Sequence, residues 1–281
     1  MSLCNNLPIT RIKLCIARIL YRVVHLVSSS DRKRITRHGI SYDIDISEGI
    51  DLSLFLFGNF QRHVTEIKGF NLPPDGTVID VGANIGVMTL SYAQKVPKGR
   101  VYAFEPTHFA LGKLQRNISL NPELASRIEV IHAFASGSCS EAPEITAYSS
   151  WKIDGDGRGG HPVHGGTAQD AANVPAFTLD NFCHKRELSK IDLIKIDTDG
   201  HEMEVLQGMQ YILEHLRPAV IFEATLSLIE ENATGFRGFY DIFVMYHYQL
   251  TNSRDGKLIT LENYKTLIPM KGGIDILALP N

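Results

Sequence analysis

Two spacings of apolar residues organise the chain. Between residues 9 and 27 (ITRIKLCIARILYRVVHLV), Ile12, Ile16, Ile19, Leu20, Val23 and Val27 recur at helical spacing, with Arg11, Lys13, Arg18 and Arg22 among them. That pattern predicts an amphipathic helix with a basic flank. Arg18 and Arg22 would stand near mid-bilayer in a spanning helix, so the segment is not read as a transmembrane span. Its apolar face needs cover, either from protein (its own domain or a second subunit) or from a membrane surface. No small-residue cleavage site follows it, which argues against a cleaved signal. After the polar SSSDRKR linker, residues 39–70 predict short strands (ISYDIDI) and a helix (FLFGNFQRHVTEIKG), and the Pro and Gly of NLPPDG mark a break.

From residue 77 strand and helix patterns alternate: TVIDV then GVMTLSYAQKV, VYAFE then HFALGKLQRNISLN, IEVIHAF, and later IDLIKID, EMEVLQGMQYILEHL and AVIFEA. Alternation of this kind specifies an α/β domain with a mostly parallel, doubly wound sheet. The tail, with YHYQLTN, KLITLEN and GGIDILALPN, predicts short closing strands of antiparallel sense. Residues 136–176, rich in Gly, Ser, Asp and His, exceed an ordinary connection and predict a loop or hairpin insertion. The expected organisation is therefore a basic helix and linker over 1–38, a small strand and helix subregion over 39–70, and the main domain over 71–281.

Charge sharpens this picture. Of 281 residues, 28 are Lys or Arg and 31 Asp or Glu, a net of −3. Without a chain-wide basic field, nucleic acid is not expected as a partner. Residues 1–40 nonetheless carry eight basic residues against Asp31 alone. The four cysteines, Cys4, Cys15, Cys139 and Cys183, lie too far apart for a zinc knuckle or a redox pair, which fits a reducing, cytoplasmic setting.

The candidate chemistry begins where TVIDV runs into Gly82-Ala83-Asn84-Ile85-Gly86. Asp80 and the two glycines stand at the carboxyl end of the first parallel strand, where open α/β sheets bind ligands. The GxxxG spacing, with Asn84 between the glycines, departs from the GxGxxG of pyrophosphate-binding turns and favours a ligand without a diphosphate. Glu105, nineteen residues beyond Gly86, ends the next strand, where a carboxylate can accept both hydroxyls of an adenosine ribose. The competing reading is that Glu105 caps the helix beginning near Thr107.

The succession VIDVGANIG, FEP with LQRN downstream, FTLDNF, LIKIDTDGHEMEVLQG and AVIFE resembles the FkbM-type family of S-adenosylmethionine-dependent O-methyltransferases over about residues 75–225. The resemblance implies a Rossmann-like class I methyltransferase fold, with Asp80, Gly82, Asn84 and Gly86 around the methionine end of S-adenosyl-L-methionine, Glu105 on its ribose and Phe134 or a neighbour near its adenine. It departs from the family's common KIDVEG in Thr198 and Asp199, which keeps the acid but shortens it by one methylene.

On the strand IDLIKID, alternation places Lys195 and Asp197 on one face and Ile194 and Ile196 on the other. Methyl transfer to a hydroxyl requires a base or an acceptor-binding metal. Asp197, Asp199, His201 and Glu223, with Lys195 beside them, are the candidates. The competing reading has Asp199 and Glu202 capping the next helix, with His201 exposed in its first turn. Grouped carboxylates also suit a divalent cation, and the sequence leaves metal-assisted and metal-free chemistry both open. In the insertion, Asp154, Asp156, Arg158, His161 and His164 lie on a glycine scaffold that either closes over an acceptor or is a plain mobile loop. Trp151 and Tyr148 either stack on a sugar or pack the hairpin.

The expected activity is methyl transfer to a hydroxyl of a small or glycosidic acceptor: a sugar, a glycolipid or a polyketide-like product. The alternatives are an NAD(P)-dependent oxidoreductase and a catalytically silent Rossmann-like binding module.

Overall fold

A computed structural model describes residues 18–25, 30–58, 60–140, 147–149, 153, 167–169, 171–231, 234–269 and 272–281. A helix, α1, occupies residues 18–25. Strands β1 (Arg32–Arg37) and β2 (Ile40–Asp45) follow, then helices α2 (Gly49–Phe57) and α3 (Arg62–Thr65). Next come β3 (Thr77–Val81), α4 (Val87–Lys95), β4 (Arg100–Phe104), α5 (His108–Ser119), α6 (Pro122–Ala125) and β5 (Ile128–Ile131). The insertion region holds β6 (Phe134–Ala135), β7 (Ala147–Ser149), β8 (Thr167–Gln169) and β9 (Ala176–Phe177), and α7 (Leu179–Lys185) follows it. The chain ends with β10 (Leu193–Ile196), α8 (Glu202–Gln207), β11 (Ala219–Thr225), α9 (Leu226–Glu231), α10 (Gly235–Met245), β12 (Tyr248–Asn252), α11 (Tyr264–Leu267) and β13 (Gly273–Pro280).

Seven strands form the central sheet in the order β12-β13-β11-β10-β3-β4-β5. Pairing is parallel from β11 to β5, and β13 runs antiparallel between β11 and β12. The fold is thus the expected Rossmann-like α/β sheet with an antiparallel strand near its edge. Chain direction across the sheet reverses between β3 and β10, so the crevice beyond their carboxyl ends is the place for a ligand.

Alternation along each strand sorts side chains into two cores. One face of β10 sends Ile194 and Ile196 into a cluster with Phe104, Leu206, Phe222, Phe239 and Phe243. Phe222 stacks on Phe239 and Phe243 with ring centroids 5.7 and 5.4 Å apart; burying each ring contributes roughly 2–3 kcal/mol. The other face sends Leu193 into a cluster with Val78, Leu90, Tyr92 and Ile221, and this core continues into Ile44, Leu52, Leu54 and Val64.

Residues 39–70 therefore share a core with the main sheet, and the NLPPDG turn does not separate two cores. Residues 32–37, read as linker, form β1. Only Ile35 of that strand is buried, while Arg32, Arg34 and Thr36 point outward, so its charge concealed the strand. Two asparagines, Asn117 of α5 and Asn121 at the start of α6, hold the hairpin down. Asn117 accepts from the Asp43 amide and donates to the Ile85 carbonyl, both at 2.8 Å, and Asn121 exchanges two 2.8 Å bonds with the Ser41 backbone. The asparagine of LQRN thus ties the N-terminal hairpin to the turn after β3.

Three other expectations are corrected. The stretch EMEVLQGMQYILEHL is broken at Gly208, where a Cβ would meet the Ser136 carbonyl at 2.2 Å, and a π-helical turn follows at Ile212–Leu216. KLITLEN supplies a single bridge, Leu258 to Thr251, rather than a strand; Asn263 accepts from the Thr260 amide and bends it into a turn. In α1, Tyr21 and Val24 pack on the core, whereas Ile19 and Val23 are 56% and 54% exposed. The covered face is rotated from the expected one because Tyr21 reaches Asp31 and His25 does likewise. Among the described residues no helix is long and apolar enough to cross a membrane. Trp151, Asp154, Asp156, Arg158, His161 and His164 lie outside the described residues, between the antiparallel β7 and β8.

Candidate active site

The turn after β3 needs its glycines. Gly82 has φ of 76°, and a Cβ there would fall 1.9 Å from the Asp197 carbonyl. Only glycine admits this approach of β3 and β10. Gly86, at φ of 91°, opens α4; its Cβ would meet Leu114 of α5 at 2.6 Å, so helix packing dictates it. Asn84 also takes a positive φ of 50°. Its backbone amide donates to Glu105 Oε2 at 2.8 Å, and its own Oδ1 is buried with no partner among the described residues.

Glu105 sits at the end of β4, 4% exposed. Its Oε1 accepts from the Thr107 amide at 2.9 Å and from the Thr107 hydroxyl at 2.6 Å. Thr107, not Glu105, caps α5, accepting from the Ala110 amide. Burial raises the Glu105 carboxyl above the ordinary range, and the donors from Thr107 and Asn84 oppose that rise.

Register then assembles a polar row on one face of the sheet. Lys195 lies opposite Asp80 on β3 and opposite Ile221 on β11. Glu223, two residues beyond Ile221, lies opposite Asp275 on β13. Asp80, Lys195, Asp197, Glu223 and Asp275 therefore share a face. The fully buried Asp80 accepts from the Thr89 hydroxyl at 2.6 Å and pairs with Lys195 at 3.2 Å. Lys195 also stands 3.6 Å from Asp197 and donates to the carbonyls of Gly82 and Val81 at 2.9 and 3.3 Å. Burial opposes the Lys195 charge, but Asp80 and Asp197 outweigh it and hold the ammonium above its ordinary range.

Asp197, Asp199 and Glu223 each turn a carboxylate oxygen into one group, all within 4.8 Å of one another. Asp199 reaches it through a left-handed φ of 55°, followed by Gly200 at 113°. Burial pushes Asp199 up to about 8, reinforced by Asp197 and Glu202. Burial raises Asp197 while Lys195 restrains it. Glu223 is raised well above its ordinary value by burial and then by Asp197 and Asp275. Three acids so placed can share protons or take a divalent cation.

Glu202 folds back to accept from the Thr198 and Gly200 amides and the Thr198 hydroxyl, so it braces the loop before α8 rather than capping that helix. His201 stands at the N-cap of α8 without a side-chain capping bond and is not a member of the three-residue group. Phe134 packs with Val174 and Ala176 in a small core of its own, because β6 pairs with β9 rather than extending β5. Two residues of this site escaped the sequence reading. Asp275 joins the row through β13, and His63 of α3 reaches its Oδ2 through Nε2.

The model of the Methyltransferase FkbM domain matches residues 80–250, more than half of the chain. Methyltransferase sdnD of Sordaria araneosa is 28% identical over 180 residues, covering 53% of this chain and 66% of that protein. The hexuronic acid methyltransferase AglP of Haloferax volcanii is 26% identical over 148 residues, covering 52% of this chain and 55% of that one. The match thus spans less than two-thirds of either relative's length. A solved structure of a methyltransferase FkbM from Methylobacillus flagellatus KT superposes on 76% of this chain and 47% of its own, with a TM-score of 0.48 and 17% identity. With the glycine turn, the strand-end acid and the sheet order all in place, the chain belongs to the FkbM family of S-adenosylmethionine-dependent methyltransferases.

Proposed function

We propose that this methyltransferase acts on a hydroxyl of a small or glycosidic acceptor: a sugar, a glycolipid or a polyketide-like alcohol. The observation that carries the reading is the group formed by Asp197, Asp199 and Glu223 at the strand ends beside the cofactor turn. A hydroxyl must lose a proton to become methylated, and clustered carboxylates of unequal proton affinity serve that need. The name of AglP, a hexuronic acid methyltransferase, supports a carbohydrate acceptor.

The residues of the turn fit the cofactor. Among the described residues, the buried Glu105 has only the Asn84 amide on Oε2, and the buried Asn84 Oδ1 has no partner; these are acceptors suited to ribose hydroxyls and an ammonium. Glu105 would hold the ribose, and the Asp80–Gly86 turn would surround the methionine end. When bound, S-adenosylmethionine supplies a methyl carbon on a positively charged sulfur. Asp197, the member of the group paired with Lys195, is the one held most readily ionised, and it would take the acceptor's O–H proton. Asp199 and Glu223, whose carboxyls keep protons more strongly, donate hydrogen bonds that orient the acceptor.

The test is a screen with methyl-tritiated S-adenosylmethionine against hexuronic acids, alkyl glycosides and polyketide-like alcohols. The reading expects base-stable label, an ether, on at least one hydroxylated acceptor. Label appearing only on amines or as base-labile esters would overturn it.

A further inference from the structure

The polar row across β3, β10, β11 and β13 is closed at its far end by a residue from outside the sheet. Lys195 balances Asp80 and Asp197 at the inner end. Beyond it come Glu223 and, opposite in register, Asp275, which is mostly buried. There α3 brings His63, whose Nε2 contacts Asp275 Oδ2; both side chains are largely covered, at 16% and 11% exposure. The position of α3 is itself fixed, since the hydroxyl of the fully buried Tyr92 on α4 donates to the Val64 carbonyl at 3.0 Å. Val64 joins the core that also holds Ile221 and Leu277, neighbours of Glu223 and Asp275 along their strands. Val64, the residue next to His63, is therefore held both by packing and by the Tyr92 hydroxyl.

We propose that His63 is a positioning residue of the transferase site: its Nε2–H holds the Asp275 carboxylate against Glu223, and so fixes the direction in which Glu223 presents its carboxyl to the acceptor. This rests on the reading of Asp197, Asp199 and Glu223 as the acceptor-handling group. It also gives the N-terminal subregion a part in the chemistry, because α3 supplies the end of a row otherwise built from strands. An unheld Asp275 would be free to turn its oxygens toward Glu223, its register partner, in more than one way.

Two substitutions separate positioning from mere packing. His63→Leu keeps the bulk and removes the donor, while His63→Gln places an amide donor near the Nε2 position. With an acceptor from the screen above, His63→Leu is expected to lower the turnover rate tenfold or more, with S-adenosylhomocysteine affinity unchanged by calorimetry. His63→Gln is expected to recover the rate to within about threefold of the parent. Equal rates in the two variants, or a loss explained by weaker cofactor binding, would overturn the proposal. A second readout needs no turnover: two-bond proton–nitrogen correlation spectra of the full chain labelled with ¹⁵N-histidine should show the proton of His63 on Nε2, with that preference lost in Asp275→Asn. A proton on Nδ1 alone in the parent would overturn the proposal. If the parent methylates nothing in the screen, the proposed function fails while the spectra still decide whether His63 holds Asp275.

Discussion

Asp199 sits where three acids crowd, and its titration makes the folded chain's stability depend on pH in a direction opposite to that of an ordinary salt-bridged aspartate. Burial, with Asp197 and Glu202 near, raises it to about 8, whereas in the unfolded chain it titrates near 4, the ordinary aspartate value of about 3.9. Between these values the folded chain keeps a proton that the unfolded chain has released. The stability contributed is fully present below about pH 4 and is lost as pH rises through about 8. One whole proton corresponds to a slope of about 1.4 kcal/mol per pH unit. The proton is shared with Asp197 and Glu223, so the slope carried by this residue is on the order of 1 kcal/mol per unit. Asp199→Asn, neutral at every pH, removes that slope. Urea unfolding of parent and variant from pH 5 to pH 8 should show the variant gaining on the parent by roughly 3 kcal/mol across the range, and more stable than it at pH 8. Parallel curves, with a difference constant to within about 0.5 kcal/mol, would refute the reasoning and leave Asp199 a solvated acid.

Removing the strand-end acid by Glu105→Ala leaves the ribose hydroxyls and the Asn84 and Thr107 amides unpaired; S-adenosylhomocysteine affinity measured by calorimetry should fall by about 2–3 kcal/mol, tens of fold. Gly82→Ala, which drives a methyl group into the Asp197 carbonyl, should cost at least about 2–3 kcal/mol in urea unfolding or leave no soluble chain. A chelator should leave the transfer rate unchanged if the carboxylates act as proton carriers; a chelator-sensitive rate restored by magnesium would assign them to a cation instead.

The sheet was legible because its strands are short apolar runs ending in chemistry: TVIDV before GANIG, VYAFE, LIKID and AVIFE all fall where β3, β4, β10 and β11 lie. Alternation alone placed Lys195 and Asp197 together, and the structure joins them to Asp80 across one register step. What stayed hidden depends on pairings that no local spacing encodes. Asp275 is an isolated acid in an apolar strand, and its neighbour Glu223 lies 52 residues earlier, across an antiparallel pair. His63 reads as an ordinary surface histidine until α3 is laid on the sheet. β1 was concealed because RKRITR carries one inward apolar residue, and helical spacing misjudged α1 because Tyr21 and Val24 anchor it. Phe134 packs in its own small core where β6 pairs with β9, and His201, expected among the carboxylates, stands at the start of α8 outside the three-acid group.

The most direct measurement joins binding and transfer in one variant, Asp197→Asn, which keeps the side chain's size and removes its capacity to take a proton. S-adenosylhomocysteine affinity by calorimetry and tritium transfer from methyl-labelled S-adenosylmethionine to a hydroxylated acceptor are measured on the same preparation. Affinity within about threefold of the parent, together with a loss of transfer of a hundredfold or more, is the predicted result. Transfer near the parent's rate would contradict the assignment of Asp197 as the group that takes the acceptor's proton.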